Sequence, residues 1–462
     1  MAISGQSILS SQAGEHLRGA FQGRLVTPGD DAYEQARRVW NGTIDKSPSV
    51  VASCTTVDDI LAAIEFARDA GLVVAVRGGG HSFAGFSTCD AGILIDLSPM
   101  QAVQVDPDAR VARCQAGATW AVFDAATHTH GLATTGGLVS TTGVAGLTLG
   151  GGIGWLTRRH GLACDNLLSV EMVTAAGNLV RASAAENPEL FWALRGGGGN
   201  FGIATKFEFR LHPVSMVVGG LMLFRENQTP DVLRFYRDYV QDLPDEFTSM
   251  LSAITAPSAD FVPAEMQGRP SIAFAGCHCG DESEAERVLK PLRDLGPAVD
   301  LFESLAYPDL QRMFDEDLPH GIRCYLKAGY VPALTDAAID VIAESTRQMS
   351  SPNSTFDFHH MGGAASRVPD DGTAFGDRRS TFCFNIVGLW TDPAQDDLHK
   401  ASVRDFATAL EPFGSGGVYV NFTADPDTVR AAYDTAKYER LRAVKRQYDP
   451  DNLFRLNQNI QP

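Results

Sequence analysis

The fold is decided by the stretch Val74-Ala75-Val76-Arg77-Gly78-Gly79-Gly80-His81-Ser82. An apolar run typical of a β-strand ends in three glycines, whose backbone N–H groups lie on a turn where no Cβ blocks a ligand. Such a turn suits a phosphate or another anion, and the histidine that follows would touch whatever carries it. These nine residues alone are equally consistent with a tight turn beside a surface histidine.

The residues before this turn predict a β-α-β unit. A short strand over 49–52 is followed by a helix that begins near Thr56, carries apolar residues at helical spacing and ends at Gly71. The strand over 72–76 then leads into the triple glycine. Short strands and helices continue to about residue 209, which indicates a mixed helix and sheet domain.

Glycine is concentrated in clusters, at 78–80, 136–137, 143–154, 196–202, 362–363 and 414–417. This distribution indicates contact between backbone and ligand at several points, and the run over 134–154 suits a main chain that follows a flat ligand. Gly197, Gly199 and Gly202 match a G-x-G-x-x-G pattern, but between a predicted helix and a predicted strand. A Rossmann site needs strand, turn and helix in that order, so we interpret this segment as a second backbone surface for ligand.

Composition narrows the class of protein. The 462 residues suggest two or three domains, and 38 Lys plus Arg against 56 Asp plus Glu give a net charge of −18, which disfavours binding to nucleic acid or anionic membranes. The sequence shows neither a run of about 18 apolar residues nor a secretory signal, so we expect a cytoplasmic protein with reduced cysteines. Cys277-His278-Cys279 has no second ligand pair and follows a predicted strand, so no metal site is predicted.

The sequence pattern changes near residue 214. From there, longer predicted strands alternate with predicted helices, and no glycine cluster occurs until 362. We therefore expect a first domain over 1–213 in two subdomains and a second domain over 214–420, an antiparallel sheet with helices on one face. Residues 421–462 form a C-terminal segment that returns to the first domain. Asn457 and Asn459, two apart in this tail, are either hydrogen-bond partners for a buried group or part of a capped terminus.

Five separated blocks together resemble the berberine-bridge-enzyme-like and 6-hydroxy-D-nicotine-oxidase-like FAD-linked oxidoreductases, within the vanillyl-alcohol-oxidase class. The blocks occur in the family's order, at 77–82, 136–154, 162–166, 191–205 and 448–459. The resemblance covers nearly the whole chain and implies an α+β fold with a PCMH-type FAD-binding domain. It makes the second domain the substrate-binding domain.

The resemblance also implies how the cofactor is held. In this family the histidine after the glycine turn is bonded to the 8α-methyl of FAD, which corresponds to His81, and Val139 stands where many members have a second linking cysteine, so a single link is expected. Thr142 matches a position near the reactive edge of the flavin. The full set of expected cofactor-binding residues is Arg77, Gly78, Gly79, Gly80, His81, Ser82, Gly85, Gly137, Thr141, Thr142, Gly143, Gly146, Gly151, Gly154, Asn200, Gly202, Ile203, Asn421, Asn457 and Asn459.

The cofactor implies the reaction. A substrate C–H bond of an alcohol, an amine or a secondary metabolite would give a hydride to flavin N5, and O₂ would reoxidise the ring to yield H₂O₂. Two alternatives stay open: a dehydrogenase that uses a quinone or protein acceptor, and a flavin-containing binding protein for a drug or metabolite without turnover. The expected partners are a small-molecule substrate and O₂, with a homodimer as one arrangement of the chain.

The catalytic base is where the sequence departs from its relatives. Phe422 stands where several oxidising members place a catalytic tyrosine, on a strand predicted over 417–422. Asp357 and His359 share one face of a strand predicted over 355–363 and are the preferred acid and base, unless they lie on the solvent side of an edge strand. Tyr419 shares a face of its predicted strand with Asn421 and is expected to contact the flavin with it, as a further catalytic candidate outside the family's base position. Tyr325 and Lys327, on a neighbouring predicted strand, are weaker pocket candidates.

Overall fold

The computed structural model describes residues 9–425 and 429–462 of the chain. Its first layer contains the helices α1 (Gln12–Ala20), α2 (Tyr33–Arg37) and α3 (Val57–Asp69) and the strands β1 (Arg24–Val26), β2 (Val50–Ser53), β3 (Val74–Arg77) and β4 (Ile93–Asp96). The strand order is β1-β2-β4-β3, and β4 runs parallel to both β2 and β3. The β-α-β unit that precedes the glycine turn is thereby confirmed.

Local chemistry explains where α3 begins. The Thr56 side chain accepts a hydrogen bond from the Asp59 backbone N–H at 3.2 Å, and the Asp59 carboxylate accepts one from the Thr56 N–H at 3.0 Å. This reciprocal capping box satisfies two backbone donors that a helix start leaves free. The buried face of α3, which includes Ile60 and Ile64, then packs on the sheet and fixes the direction in which β3 enters the glycine turn.

The second layer is antiparallel. Its strands are β5 (Val103–Asp106), β6 (Val111–Gln115), β7 (Leu132–Ala133), β8 (Leu167–Val173), β9 (Leu179–Ser183), β10 (Ile203–Arg210) and β11 (His212–Pro213), and its helices are α4 (Trp120–His128), α5 (Val144–Leu149), α6 (Thr157–His160) and α7 (Pro188–Ala193). In the described residues, the order is β5-β6-β10-β8-β9, and β7 pairs with β11. The glycine-rich run over 134–154 therefore contains a short helix, α5.

The third layer is a large antiparallel sheet that begins just beyond the boundary predicted at residue 213. Its strands are β12 (Met216–Arg225), β13 (Phe247–Thr255), β14 (Pro270–His278), β15 (Val299–Asp300), β16 (Glu303–Ala306), β17 (Arg323–Val331), β18 (Thr355–His360) and β19 (Phe382–Trp390). The order is β15-β12-β14-β13-β18-β19-β17, with β16 also paired to β12. The helices of this part are α8 (Thr229–Tyr239), α9 (Glu282–Arg293), α10 (Tyr307–Leu310), α11 (Asp336–Arg347), α12 (Gly363–Arg367) and α13 (Asp396–Leu410).

The two faces of this sheet have different neighbours because side chains alternate along a strand. One face carries phenylalanines such as Phe274 and Phe358, which pack against α8, α9, α11 and α13. The other face, which includes Met250 and Ala275, turns towards the first two layers. The predicted α+β class, with an antiparallel sheet covered by helices on one side, is confirmed.

The C-terminal segment contains α14 (Val429–Ala432) and α15 (Thr435–Tyr448), and it returns to the first two layers. In α15, Lys445 is fully buried and donates to the carbonyls of Asn200 and Phe454 while pairing with Asp449 at 2.6 Å. This one ammonium group ties the helix, the tail and the glycine segment around 200 together. Over residues 9–425 and 429–462, no helix has the length and apolarity needed to cross a bilayer.

A second buried cation joins the layers. Arg158 of α6 donates from Nε to the Phe247 carbonyl at 2.9 Å and from its terminal nitrogens to the carbonyls of Met361 and Leu243 at 2.7 and 2.9 Å. These carbonyls belong to the third layer, next to β13 and β18. Burial lowers the pKa of the Arg158 guanidinium, which is held by carbonyl dipoles along with a contact to His360.

We expect Lys445→Met to lower the free energy of unfolding by about 3–5 kcal/mol, because it leaves the buried Asp449 carboxylate without its cation. The matched control is Lys290→Met, since Lys290 and Asp294 form the same i,i+4 pair at 2.7 Å on an exposed helix face. Lys290→Met is expected to lower the free energy of unfolding by about 0.5 kcal/mol or less. The urea midpoint of each purified variant measures the difference, and equal midpoints for the two variants would contradict it.

Candidate active site

A cavity of about 1530 Å³ lies between the glycine segments of the first two layers and the inner face of the third. One wall is formed by residues 78–82, 142, 143, 145–147, 197–199 and 202–204, more than half of which are glycines. The opposite wall consists of side chains from β12, β13, β14, β18 and β19. The volume exceeds the range of about 300–1,000 Å³ usual for a single small ligand, so it suits a large cofactor together with a substrate.

A buried ion pair supports the triple-glycine turn from behind. β3 and β4 pair in a register that sets Arg77 opposite Asp96, and the Arg77 guanidinium contacts the Asp96 carboxylate at 3.0 and 2.9 Å. Burial alone would raise the pKa of Asp96, but Arg77 and Ser98 hold that pKa below its usual value. Arg77 also donates to the Ala36 and Arg38 carbonyls, so it supports the turn from outside the cavity wall.

The turn and the glycine-rich run touch backbone to backbone. A Cβ added to Gly79 would overlap the backbone nitrogen of Gly143, and a Cβ added to Gly143 would overlap that of Gly79. Gly80 adopts a φ of 74°, a conformation that other residues rarely take. These positions explain why glycine is required at this point of contact, which builds the narrow end of the cavity.

His81 lies at the end of this turn in a defined orientation. Its imidazole stacks on the Trp40 indole with 5.2 Å between ring centroids, and its Nε2 lies 3.1 Å from the Thr141 hydroxyl. Burial, followed by the nearby His320, lowers the pKa of His81 to about 4. The imidazole is therefore neutral at neutral pH, which is the form with a nucleophilic ring nitrogen.

The structure divides the expected cofactor-binding residues into two groups. The residues that line the cavity are Gly78, Gly79, Gly80, His81, Ser82, Thr142, Gly143, Gly146, Gly202, Ile203, Asn421 and Asn457. The residues that do not line it are Arg77, Gly85, Gly137, Thr141, Gly151, Gly154, Asn200 and Asn459. Asn200 illustrates the second group, because its amide donates to Gly197 and Gln458 carbonyls and accepts from the Ile460 N–H, which fastens the tail to the glycine segment.

The first wall fits a flavin dinucleotide. Gly146 and Gly199 both line the cavity, and a Cβ built on either meets no described atom within 4 Å beyond its chain neighbours and, for Gly146, the backbone of its own helix, so ligand atoms have room there. Within the described residues, the side-chain oxygens of Asn457 and Gln458 are buried without a hydrogen-bond partner. Buried polar atoms normally have partners, so these oxygens are available for a polar ligand group.

The opposite wall carries a polar row across three neighbouring strands. The pairing of β13, β18 and β19 places Ser252 opposite Asp357 and Asp357 opposite Asn385, and His359 follows two residues along β18. Among the described residues, Ser252 Oγ, His359 Nε2 and Asn385 Oδ1 are buried and make no hydrogen bond of good geometry, although Ser252 lies beside Asp357 and Asn385 beside His359. Three such atoms on one cavity wall indicate a site for a polar group of a ligand.

Burial shifts the pKa values of Asp357 and His359, the two candidates on β18, in opposite directions. Burial raises the pKa of Asp357 to about 6, against the opposing effect of the Ser252 and Thr355 hydroxyls, and Thr355 donates to its carboxylate at 3.0 Å. Burial lowers the pKa of His359 to about 4, opposed by the Asn385 amide. β18 is an interior strand of the sheet, which excludes the alternative of a solvent-facing edge strand.

The predicted tyrosines lie elsewhere. Tyr325 is on the helix-covered side, where its hydroxyl contacts Asp425 at 3.1 Å and Arg404 at 3.2 Å, and Lys327 also pairs with Asp425. Tyr419 is buried behind the wall, and its hydroxyl accepts from the Gly152 N–H at 2.8 Å. Burial raises the pKa of Tyr419, so its phenol is a poor base at neutral pH. Neither tyrosine is brought to the cavity.

The segment that ends in Phe422 is a short 3-10 helix (Val420–Phe422), where the sequence predicts a strand. Asn421 explains the difference, because its amide donates to the Leu147 carbonyl at 2.9 Å and to the Tyr419 hydroxyl at 2.8 Å, which pins the turn to α5. Phe422 lines the cavity and packs against His359, with 5.3 Å between ring centroids. It covers the imidazole with an apolar surface.

Comparison with known proteins identifies the family. A family model described as an FAD binding domain matches residues 48–183, and one described as berberine and berberine like matches residues 418–461. An uncharacterized FAD-linked oxidoreductase of Bacillus subtilis, YgaK, is 31% identical over 95% of this chain and 97% of its own. The (R)-6-hydroxynicotine oxidase of Paenarthrobacter nicotinovorans is 30% identical over 96% of this chain and 97% of its own.

Solved structures agree with the sequence comparisons. The crystal structure of 6-hydroxy-D-nicotine oxidase from Arthrobacter nicotinovorans superposes with a TM-score of 0.87 at 27% identity, over 96% of this chain and 98% of that one. A berberine-bridge-enzyme-like protein of Physcomitrella patens has the same fold, with a TM-score of 0.87 over 98% and 99% of the two chains at 24% identity. The chain therefore belongs to the berberine-bridge-enzyme-like, 6-hydroxynicotine-oxidase-like family of FAD-linked oxidoreductases.

Proposed function

We propose that this chain is an FAD-dependent oxidase whose flavin is linked through one bond to His81 and whose substrate is a small, largely apolar alcohol or amine. The observation that carries the proposal is a single cavity with His81 on one wall and the row Ser252, Asp357, Asn385 on the other. The proposed cofactor wall is rich in glycine, and the proposed substrate wall is made of side chains from the third layer. Each wall thus has the chemistry that its ligand requires.

The surroundings of His81 support the single link. Its neutral imidazole has Nε2 beside the Thr141 hydroxyl, so Nδ1 is the nitrogen that we assign to the bond with the flavin. Val139 lines the same cavity and offers no nucleophile for a second bond. In the proposed tethered form the remaining basic nitrogen, Nε2, is the one that contacts the Thr141 hydroxyl, so we assign His81 to holding the cofactor and look for the base on the opposite wall.

Bound FAD supplies the hydride acceptor, and O₂ is the proposed oxidant of the reduced cofactor. The Asp357 carboxylate is the proposed base, because a pKa of about 6 leaves it mostly ionised at neutral pH and able to take the O–H or N–H proton of the substrate. Ser252 and Asn385, on either side, would hold the same polar group by hydrogen bonds. His359 remains neutral and orients the substrate through Nε2.

The rest of the cavity narrows the substrate class. Leu221, Ala275, Met250, Val387 and Leu389 provide an apolar surface around the polar row. The charged residues that line the cavity are Asp357, Glu303, Asp309, Glu316, Asp317 and Arg312. This excess of negative charge disfavours an anionic substrate, and we therefore propose a neutral or positively charged one.

We expect Gly146→Leu to weaken FAD binding at least about tenfold without changing the melting temperature of the apoprotein, because its side chain would enter the space assigned to the cofactor. Gly19→Leu is the control. Gly19 is also a helical glycine whose built Cβ has no described atom within 4 Å, but it lies on the exposed face of α1. Titration of each apoprotein with FAD, followed by flavin fluorescence, gives the affinities. Equal affinities for both variants would place the cofactor elsewhere.

We expect the flavin of the wild-type protein to remain with the polypeptide after acid precipitation, because a covalent bond to His81 survives unfolding. His81→Ala should release all of its flavin into the supernatant. Absorbance of the two fractions at the flavin maximum measures the distribution, and His320→Ala, which changes the neighbouring histidine, is the control that should keep the bond. Free flavin from the wild type, or retained flavin in His81→Ala, would refute the link.

We expect kcat/KM to rise with pH through about 6, because burial raises the pKa of Asp357 and only its carboxylate form accepts a proton. Asp357→Asn should lower kcat by about 10²–10⁴-fold and remove this limb of the profile. Peroxide formation from a panel of apolar alcohols and amines is the assay. Glu303→Gln, which changes an exposed carboxylate at the same cavity, is the control and should keep the limb.

Two outcomes would change this assignment. If kcat/KM of Asp357→Asn still rises with pH near 6, another group must be the base that accepts the substrate proton. Reduced enzyme that reoxidises over minutes instead of seconds after mixing with aerated buffer would identify a dehydrogenase with a different acceptor. The second measurement needs no turnover assay, since the return of flavin absorbance reports the reaction directly.

A further inference from the structure

Trp40 occupies an unusual place between the flavin attachment site and the third layer. Its indole stacks on the His81 imidazole with 18° between the ring planes and meets Phe83 edge-on at 5.6 Å. Its backbone N–H donates to the Gly80 carbonyl at 3.1 Å, directly before His81. Trp40 therefore contacts both the ring and the backbone that present the linking histidine.

The other side of Trp40 is held by residues just before β17. Its indole N–H donates to the Leu318 carbonyl at 3.0 Å, and its own carbonyl accepts from the Gly321 N–H at 2.9 Å. Trp40 is only 3% exposed and packs with Ile322 and Leu389 of the third layer. The segment 318–322 thus fixes the indole, and the indole fixes the imidazole.

We infer that Trp40 is the positioning residue for flavin attachment, and that the 318–322 segment of the third layer sets the reactive orientation of His81 through it. The inference rests on the proposed covalent link. It adds that attachment requires the third layer to be docked on the first, because the contacts that hold Trp40 come from both. FAD would bind to the glycine segments before the bond forms.

Formation of the proposed bond between His81 and the flavin removes two hydrogen atoms, one from each partner. One C–H bond of the 8α-methyl and the N–H bond of the imidazole break, an N–C bond forms, and the two protons and two electrons pass by way of the flavin ring to dioxygen, which becomes H₂O₂. Such a reaction depends on the direction of the nitrogen lone pair, which lies in the plane of the imidazole. A flat indole against one face fixes that plane, whereas a flexible side chain would let it rotate.

The test measures the rate of covalent attachment, with apoprotein of each variant incubated with FAD in air and sampled by acid precipitation. Trp40→Leu keeps an apolar side chain without a flat face, and Trp40→Phe keeps a flat ring without the indole N–H. We expect Trp40→Leu to bind FAD but to attach it at least about tenfold more slowly, since a displacement of about 1 Å can cost 100-fold in rate. Trp40→Phe, which keeps a flat face but loses the bond to the Leu318 carbonyl, should attach FAD faster than Trp40→Leu and more slowly than the wild type.

Trp192→Leu is the matched control. Trp192 is also 3% exposed and donates its indole N–H to a carbonyl of the third layer, that of Asp371, at 2.8 Å, but it packs under Arg440 and away from His81. Its attachment rate should equal that of the wild type. Wild-type rates in Trp40→Leu, or equal slowing in Trp192→Leu, would overturn the role of Trp40 while leaving the link itself intact. A wild type without covalent flavin would refute the link and this inference with it.

Discussion

The contact between Gly79 and Gly143 is the constraint on which the rest of the site depends. Two loops that are far apart in the sequence meet without side chains, and a methyl group on either glycine would push them apart. The Arg77–Asp96 pair holds the first loop in place, and the Asn421 amide holds α5 at the end of the second. Buried polar groups thus stabilise the two loops at a point of contact where glycine leaves no side chains to pack.

The parts that the sequence predicts well are those with local signals. The strand that ends in three glycines and a histidine can be predicted from its own residues. The N-terminus of the helix before it is likewise indicated by the capping residues Thr56 and Asp59. The alternation of Asp357, Phe358 and His359 likewise predicts which side chains share a face, and the structure agrees. Each of these patterns spans only a few residues, so the backbone geometry follows from them directly.

The features of the site that the sequence does not predict depend on pairing between strands that are distant in the chain. Ser252 and Asn385 join the site only because β13 and β19 flank β18 in one particular register. A polar Asn385 within the apolar run 382–390 is the one feature of the sequence that indicates its place in the site. Tyr325, a weaker pocket candidate in the sequence, lies on the helix-covered side because the faces of β17 are set by its pairing with β19. The turn at 420–422 forms because the Asn421 amide finds the Leu147 carbonyl, a partner 274 residues away.

The two walls of the cavity have separate supports. The cofactor wall is held by Arg77, by Lys445 and by the glycine contacts, all of which lie in the first two layers or the tail. The polar row belongs to three strands of the third layer and is held by their backbone pairing, with Arg158 joining that layer to the first two. Under the proposed assignment, a substitution at Ser252 or Asn385 therefore changes the surface that meets the substrate without touching the groups assigned to the flavin. The same fold can thus keep one cofactor geometry while its substrate wall changes.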